Sequence, residues 1–110
     1  MIKIQYVESS AHGFRWLKRY FKMQKQLNSN AAFENFAKAR ALLKQEPLAG
    51  HIFDEIEGVR ELKIQKSAFS ILYTFKRDII YIIDIRDRHG TRSADAIREF
   101  TDKLKGKYEL

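Results

Sequence analysis

The chain predicts an α+β domain, and three patterns carry that expectation: an alternating strand at the amino terminus, two stretches of helical periodicity after it, and a run of strand-forming residues between Gly58 and Ile85. The expected architecture is an N-terminal strand joined to a three-stranded antiparallel meander. An N-terminal helical hairpin packs on one face of that sheet, and a short C-terminal helix lies at its edge.

Ile2, Ile4 and Tyr6 alternate with Lys3 and Gln5, the period-two pattern of a strand with one buried face. Ser9 and Ser10 then offer helix caps. Phe14, Leu17 and Phe21 form one row at helical spacing, and Trp16, Tyr20, Met23 and Leu27 form a second beside it. On the other side Arg15, Lys18, Lys22 and Lys25 line a cationic face that can steer a polyanion or serve as an ordinary solvated face. Asn28-Ser29-Asn30 reads as a turn, after which Ala32, Phe33, Phe36, Ala37, Ala39, Arg40 and Leu43 continue a helical pattern to about Glu46. The two helices are expected to pair antiparallel, with Ala32, Ala37 and Ala39 allowing close approach. Pro47 and Gly50 stop the second helix.

His51 to Glu57 reads as a mixed connection that contains Ile52, Phe53 and Ile56 and carries Asp54, Glu55 and Glu57. Leu62 and Ile64 start the next buried row, and Phe69, Ile71, Tyr73 and Phe75 alternate with Ser70, Leu72, Thr74 and Lys76. Arg77-Asp78 turns this strand into Ile79 to Ile85, which is apolar on both faces through Ile83 and so belongs inside the sheet. Ser93 caps a final helix with Asp95 in its first turn, a narrow stripe of Ile97, Phe100 and Leu104, and Gly106 just past its end. Its expected contribution to the core is modest. With no repeat or linker, residues 1–110 form a single domain.

The formal charge of +7 attracts nucleic acid, anionic lipid or an acidic protein. Absence of cysteine excludes thiol nucleophiles and disulfides. No apolar run approaches the ~20 residues of a membrane span, so a soluble, cytoplasmic protein without a membrane partner is expected. His12, His51 and His89 lie far apart in sequence and the five glycines are scattered, which predicts no metal and no cofactor.

Metal-free RNA cleavage needs a base for the 2′-hydroxyl, an acid for the leaving oxygen, and cations around the phosphorus. Lys63, Arg86, Arg88 and His89 can gather on one side of a sheet for this, with Glu61 as a candidate base.

The ordered pieces Pro47-Leu48-Ala49-Gly50, Gly58 to Ile64, Phe69 to Phe75, Ile79 to Ile85 and Arg86-Asp87-Arg88-His89-Gly90 resemble the bacterial RelE/ParE toxin superfamily. The resemblance covers almost the whole chain. It implies the toxin of a type II toxin–antitoxin pair, held in a hetero-oligomer by a cognate antitoxin. In the RelE branch, a ribosome-dependent mRNA endonuclease, Lys63 matches the second lysine of a Lys-x-Lys strand and Arg88 a late arginine. Glu61 stands at the first lysine, Ser70 at the middle arginine, and no tyrosine follows until Tyr108. The ParE branch, which poisons DNA gyrase, is resembled through Ala31-Ala32, the Pro47–Gly50 stop and Val59-Arg60-Glu61-Leu62.

DNA gyrase is therefore the first expected target, and ribosome-bound mRNA the alternative, with Lys63, Arg88 and Glu61 as its catalytic set. A third reading is an inert nucleic-acid-binding or regulatory domain on the same fold. Arg15, Lys18, Lys22, Lys25, Arg86, Arg88 and His89 are the residues expected to meet target or antitoxin.

Overall fold

The structure, a computed structural model, describes the backbone of residues 1–23, 29–87 and 93–110, and the side chains of 1–19, 33–87 and 95–110. Along the chain run β1 (Lys3–Tyr6), α1 (Ser10–Met23), α2 (Ser29–Gln45), β2 (His51–Ile52), β3 (Arg60–Lys63), β4 (Phe69–Lys76), β5 (Ile79–Asp87) and α3 (Ser93–Glu99). A π-helical stretch, Phe100–Leu104, and a last turn, α4 (Lys105–Lys107), continue α3. The fold is α+β. Its strands form one five-stranded sheet in the order β1-β5-β4-β3-β2.

The expected three-stranded antiparallel meander is present as β3-β4-β5, and two features of the sheet go beyond it. β1 joins it parallel to β5, with Lys3 opposite Ile79 and Tyr6 opposite Ile82, so the sheet is mixed. The segment read as a mixed connection contains a further strand, β2, which pairs His51 with Glu61 and Ile52 with Arg60. Two residues are too few to show any alternation.

The β4–β5 hairpin is the centre of the fold. Its link, Arg77-Asp78, has φ of 57° and 61°, the left-handed pair that lets a two-residue turn follow the strand twist. Ile80 and Ile82 join a core with Ile71, Tyr73, Leu17 and Leu43, whereas Tyr81 and Ile83 join a second core with Leu72, Val59 and Phe100. β5 is thus buried on both faces, which explains its continuous apolar run. The register slips at Leu72/Tyr73, where Leu72 faces Asp84 and Tyr73 faces Ile82, so β5 carries one extra residue there.

The segment between β1 and α1 completes the sheet where β1 ends. β1 stops at Tyr6 while β5 runs on to Asp87. Beyond it Val7 N–H still donates to Ile82 at 2.9 Å, and the Ser9 hydroxyl donates to the Ile83 carbonyl at 2.8 Å. Ser9, expected as a cap, therefore serves the sheet instead. Gly13 lies on β5 so closely that a Cβ there would sit 2.5 Å from Ile85 N and O. Trp16 Nε1 donates to Asp87 at 3.3 Å.

The expected hairpin is matched only in part. α2 contributes Phe36, Ala39 and Leu43 to the first core, and Phe14 meets Phe36 edge-to-face with ring centroids 5.6 Å apart. α1, however, also reaches the opposite layer, where His12 Nε2 lies 2.6 Å from Glu99. Ala37 is exposed, leaving no small-residue seam at that position. The rows through Tyr20, Phe21, Met23 and Leu27, the side chain of Ala32, and the turn side chains at Asn28, Ser29 and Asn30 lie outside the described residues, as does the Ser93 side chain.

The carboxy-terminal helix is a structural layer, contrary to the modest role expected of it. Ala96 is fully buried; Phe100, also fully buried, and Leu104, nearly so, pack in one core with Val7, Leu72, Tyr81 and Ile83. Gly106 lies within the last turn, and the helix continues to Lys107.

Candidate functional site

The sheet register places Lys63 opposite Ser70, and Ser70 opposite Arg86, so the three occupy one row across β3, β4 and β5. Glu61, two residues before Lys63, shares their face because side chains alternate along a strand. There the Ser70 hydroxyl donates to Glu61 Oε2 at 2.5 Å, and the Arg86 guanidinium donates to the same oxygen at 3.0 Å. Arg86 also lies over the Phe53 ring, 5.3 Å from its centroid. Only 24–25% of each ion-pair side chain is exposed, so this contact is fixed rather than a surface encounter. Lys63, by contrast, is exposed at the end of β3.

Sequence reasoning gathered Lys63, Arg86, Arg88 and His89 on one side of the sheet with Glu61 as a candidate base, and the structure sets Glu61, Lys63 and Arg86 on one face. It spends Arg86 and Glu61 on each other. Of the helix face, Arg15 and Lys18 are exposed. Lys25, Arg88 and His89, and the side chain of Lys22, lie outside the described residues.

The Pro47–Gly50 turn is locked from below. Gly50 N–H donates to the buried Tyr73 hydroxyl at 2.9 Å, and Arg60 donates to the Gly50 carbonyl at 2.9 Å. A Cβ on Gly50 would lie 2.8 Å from the Tyr73 ring and 2.9 Å from the Glu61 carbonyl, so close approach requires glycine there. Burial pushes the Tyr73 phenol up, opposed by the Gly50 N–H and the Arg60 charge.

Two further clusters escaped the sequence reading because their members are distant in the chain. His12 bridges Glu99 at 2.6 Å and Arg15 at 3.2 Å, joining α1 to α3. Glu8 accepts from the Tyr108 hydroxyl and from Lys107 at 3.2 Å. The Tyr108 hydrogen bond holds the Glu8 carboxyl below its ordinary value, with Lys107 adding to it. The same bond pushes the Tyr108 phenol up.

No metal-holding group of three His, Asp or Glu side chains occurs among the described residues. Nor is any described helix long and apolar enough to cross a membrane. Chemically, the Glu61–Ser70–Arg86 cluster is a satisfied polar knot: its base already accepts two hydrogen bonds and its guanidinium is already paired. Cationic contact outside the knot is offered by Lys63, Arg15 and Lys18. No protein-family profile matches the chain, and no curated protein matches it in sequence.

Proposed function

We propose that this chain is the toxin of a type II toxin–antitoxin pair, acting in the cytoplasm by binding DNA gyrase and restrained by a cognate antitoxin. The observation that carries the choice of target is the closed Glu61–Ser70–Arg86 knot. RNA cleavage at this face needs a free base and an unpaired cation beside the phosphate. The base, Glu61, and the Arg86 guanidinium are engaged with each other, Ser70, held fully buried in the knot, adds no charge, and exposed Lys63 is the one cation of the described row outside the knot. A surface that acts through binding has no such requirement.

The test is purified protein in two parallel assays. Inhibition of gyrase supercoiling, or trapping of cleaved DNA, is expected, with ribosome-bound mRNA left intact in primer extension. Discrete cuts at the ribosomal A site with gyrase unaffected would overturn the gyrase reading and make Glu61, Lys63 and Arg88 the catalytic set. Gyrase and ribosome-bound mRNA both unaffected, with growth unchanged on expression, would leave the inert-domain reading.

A further inference from the structure

Between the carboxy-terminal helix and the end of β4 lies a cavity of about 360 Å³, within the size range of pockets that enclose small molecules. Its apolar wall includes Val59, Phe75, Phe100 and Leu110, and its polar lining is Glu57, Thr74, Lys76 and Lys105. Val59, Thr74 and Phe100 are buried whereas Glu57 and Lys76 are exposed, so the cavity runs from the second core to the surface. The Thr74 hydroxyl donates to the Gly58 carbonyl at 2.7 Å, which anchors the loop before β3 and leaves the lysines as the side-chain donors of the lining.

The winding of the last helix puts one of those lysines there. Lys105 N–H donates to the Phe100 carbonyl, a bond across five residues that closes the π-helical stretch. In an α-helix two residues five apart lie about 140° apart round the axis, on different faces. The wider turn sets them about one turn apart on the same side, so the buried Phe100 ring and the half-buried Lys105 line one cavity. Wide turns of this kind recur at functional sites.

Both cations keep their charge. Lys76 Nζ donates to the Glu109 carbonyl at 2.7 Å, a neutral partner. Lys105 enters no salt bridge among the described residues, and exposed Glu57 likewise enters none.

We propose that this cavity binds a small monocarboxylate with an apolar tail, the tail against Val59, Phe100 and Leu110 and the carboxylate against Lys105 and Lys76. Two lysines facing one solvated glutamate select an anion, and the apolar wall selects a tail that leaves water on binding. None of the residues assigned to target, antitoxin or RNA cleavage lines the cavity, so the site stands apart from the toxin reading.

The probe is octanoate, titrated into the full chain and followed by NMR. Saturable binding with a Kd of about 1 mM or tighter is expected, with shifts at the Gly58, Val59 and Lys105 amides and contacts from the tail to the Phe100 ring. The Leu110 amide donates to the Lys105 carbonyl at 2.8 Å, and its exchange should slow about tenfold at ten times Kd. On the unaltered protein octanol and octylammonium should bind at least about tenfold more weakly than octanoate. Lys105→Met keeps the apolar stem and removes the charge, and should weaken octanoate by about tenfold while leaving octanol unchanged.

Equal binding of octanol or octylammonium would overturn the choice of a carboxylate, and undiminished octanoate binding by Lys105→Met would overturn the placing of its carboxylate. No saturation by about 10 mM octanoate, or saturation with shifts only outside the cavity, would overturn the site itself.

Discussion

The Tyr73 hydroxyl accepts from the buried Gly50 N–H, so its loss has a cost in free energy. Tyr73→Phe keeps the ring and strands a buried donor, which costs about 1–3 kcal/mol. Urea unfolding should show that loss as a lower midpoint with an unchanged slope. The raised phenol also sets an alkaline limit. Its contribution is complete below the ordinary value of 10.0 and is lost as pH climbs past that value toward the folded one. Stability measured from pH 9 to 11 should fall, and the Tyr73→Phe protein should fall less. The Arg86–Glu61 pair allows a parallel comparison. Arg86→Ala leaves a largely buried carboxylate with one partner fewer and should cost about 1–3 kcal/mol, whereas exposed Lys63→Ala should change stability by no more than about 0.5 kcal/mol. Equal, negligible effects would mean that the knot does not hold β3 to β5.

Among the elements, α1 and the carboxy-terminal helix depend on contacts that single residues decide. Gly13→Ala gains up to ~1 kcal/mol of helix propensity but drives a methyl into the Ile85 backbone at 2.5 Å. Backbone cannot yield as a side-chain tip can, so overpacking should win and the variant should be less stable by about 1–3 kcal/mol. A gain in thermal midpoint would show that α1 can lift from β5. The strands of the central hairpin were legible because alternation and a two-residue turn are local signals. The weight of the last helix was not, since a stripe of Ile97, Phe100 and Leu104 says nothing of what it covers. The usable signal lay elsewhere: a strand apolar on both faces needs a layer on each, and Tyr81 and Ile83 needed Phe100. Within the candidate site, the shared face was readable but the pairing was not. Continuing the Tyr73–Ile82 register would set Ile85 opposite Ser70; the extra residue in β5 puts Arg86 there instead. A bulge of this kind leaves no mark in the residue pattern.

At the scale of the whole molecule, the chain closes on itself through its carboxyl end. Arg77 donates to the Tyr108 carbonyl at 2.7 Å and Lys76 to the Glu109 carbonyl at 2.7 Å, which fastens the end to the β4–β5 turn. Tyr108 and Lys107 fasten it at the other side to Glu8, between β1 and α1. Glu8 titrates below its ordinary value of 4.5, so its contribution is complete above that pH and is lost as pH falls through the lowered folded value. Exposed ion pairs are worth only about 0–1 kcal/mol, far less than the burial of Phe100 and Leu104. Acid should therefore release the end locally before the domain unfolds. Protection factors of the Tyr108 and Leu110 amides, which donate to Leu104 and Lys105, should fall below pH 4.5 while those of the Ile80 and Ile82 amides hold. In Glu8→Gln the carboxyl-end amides should exchange faster already at neutral pH, with a weaker acid dependence. Simultaneous loss of protection at both places would mean that the carboxyl end and the central hairpin open as one cooperative unit.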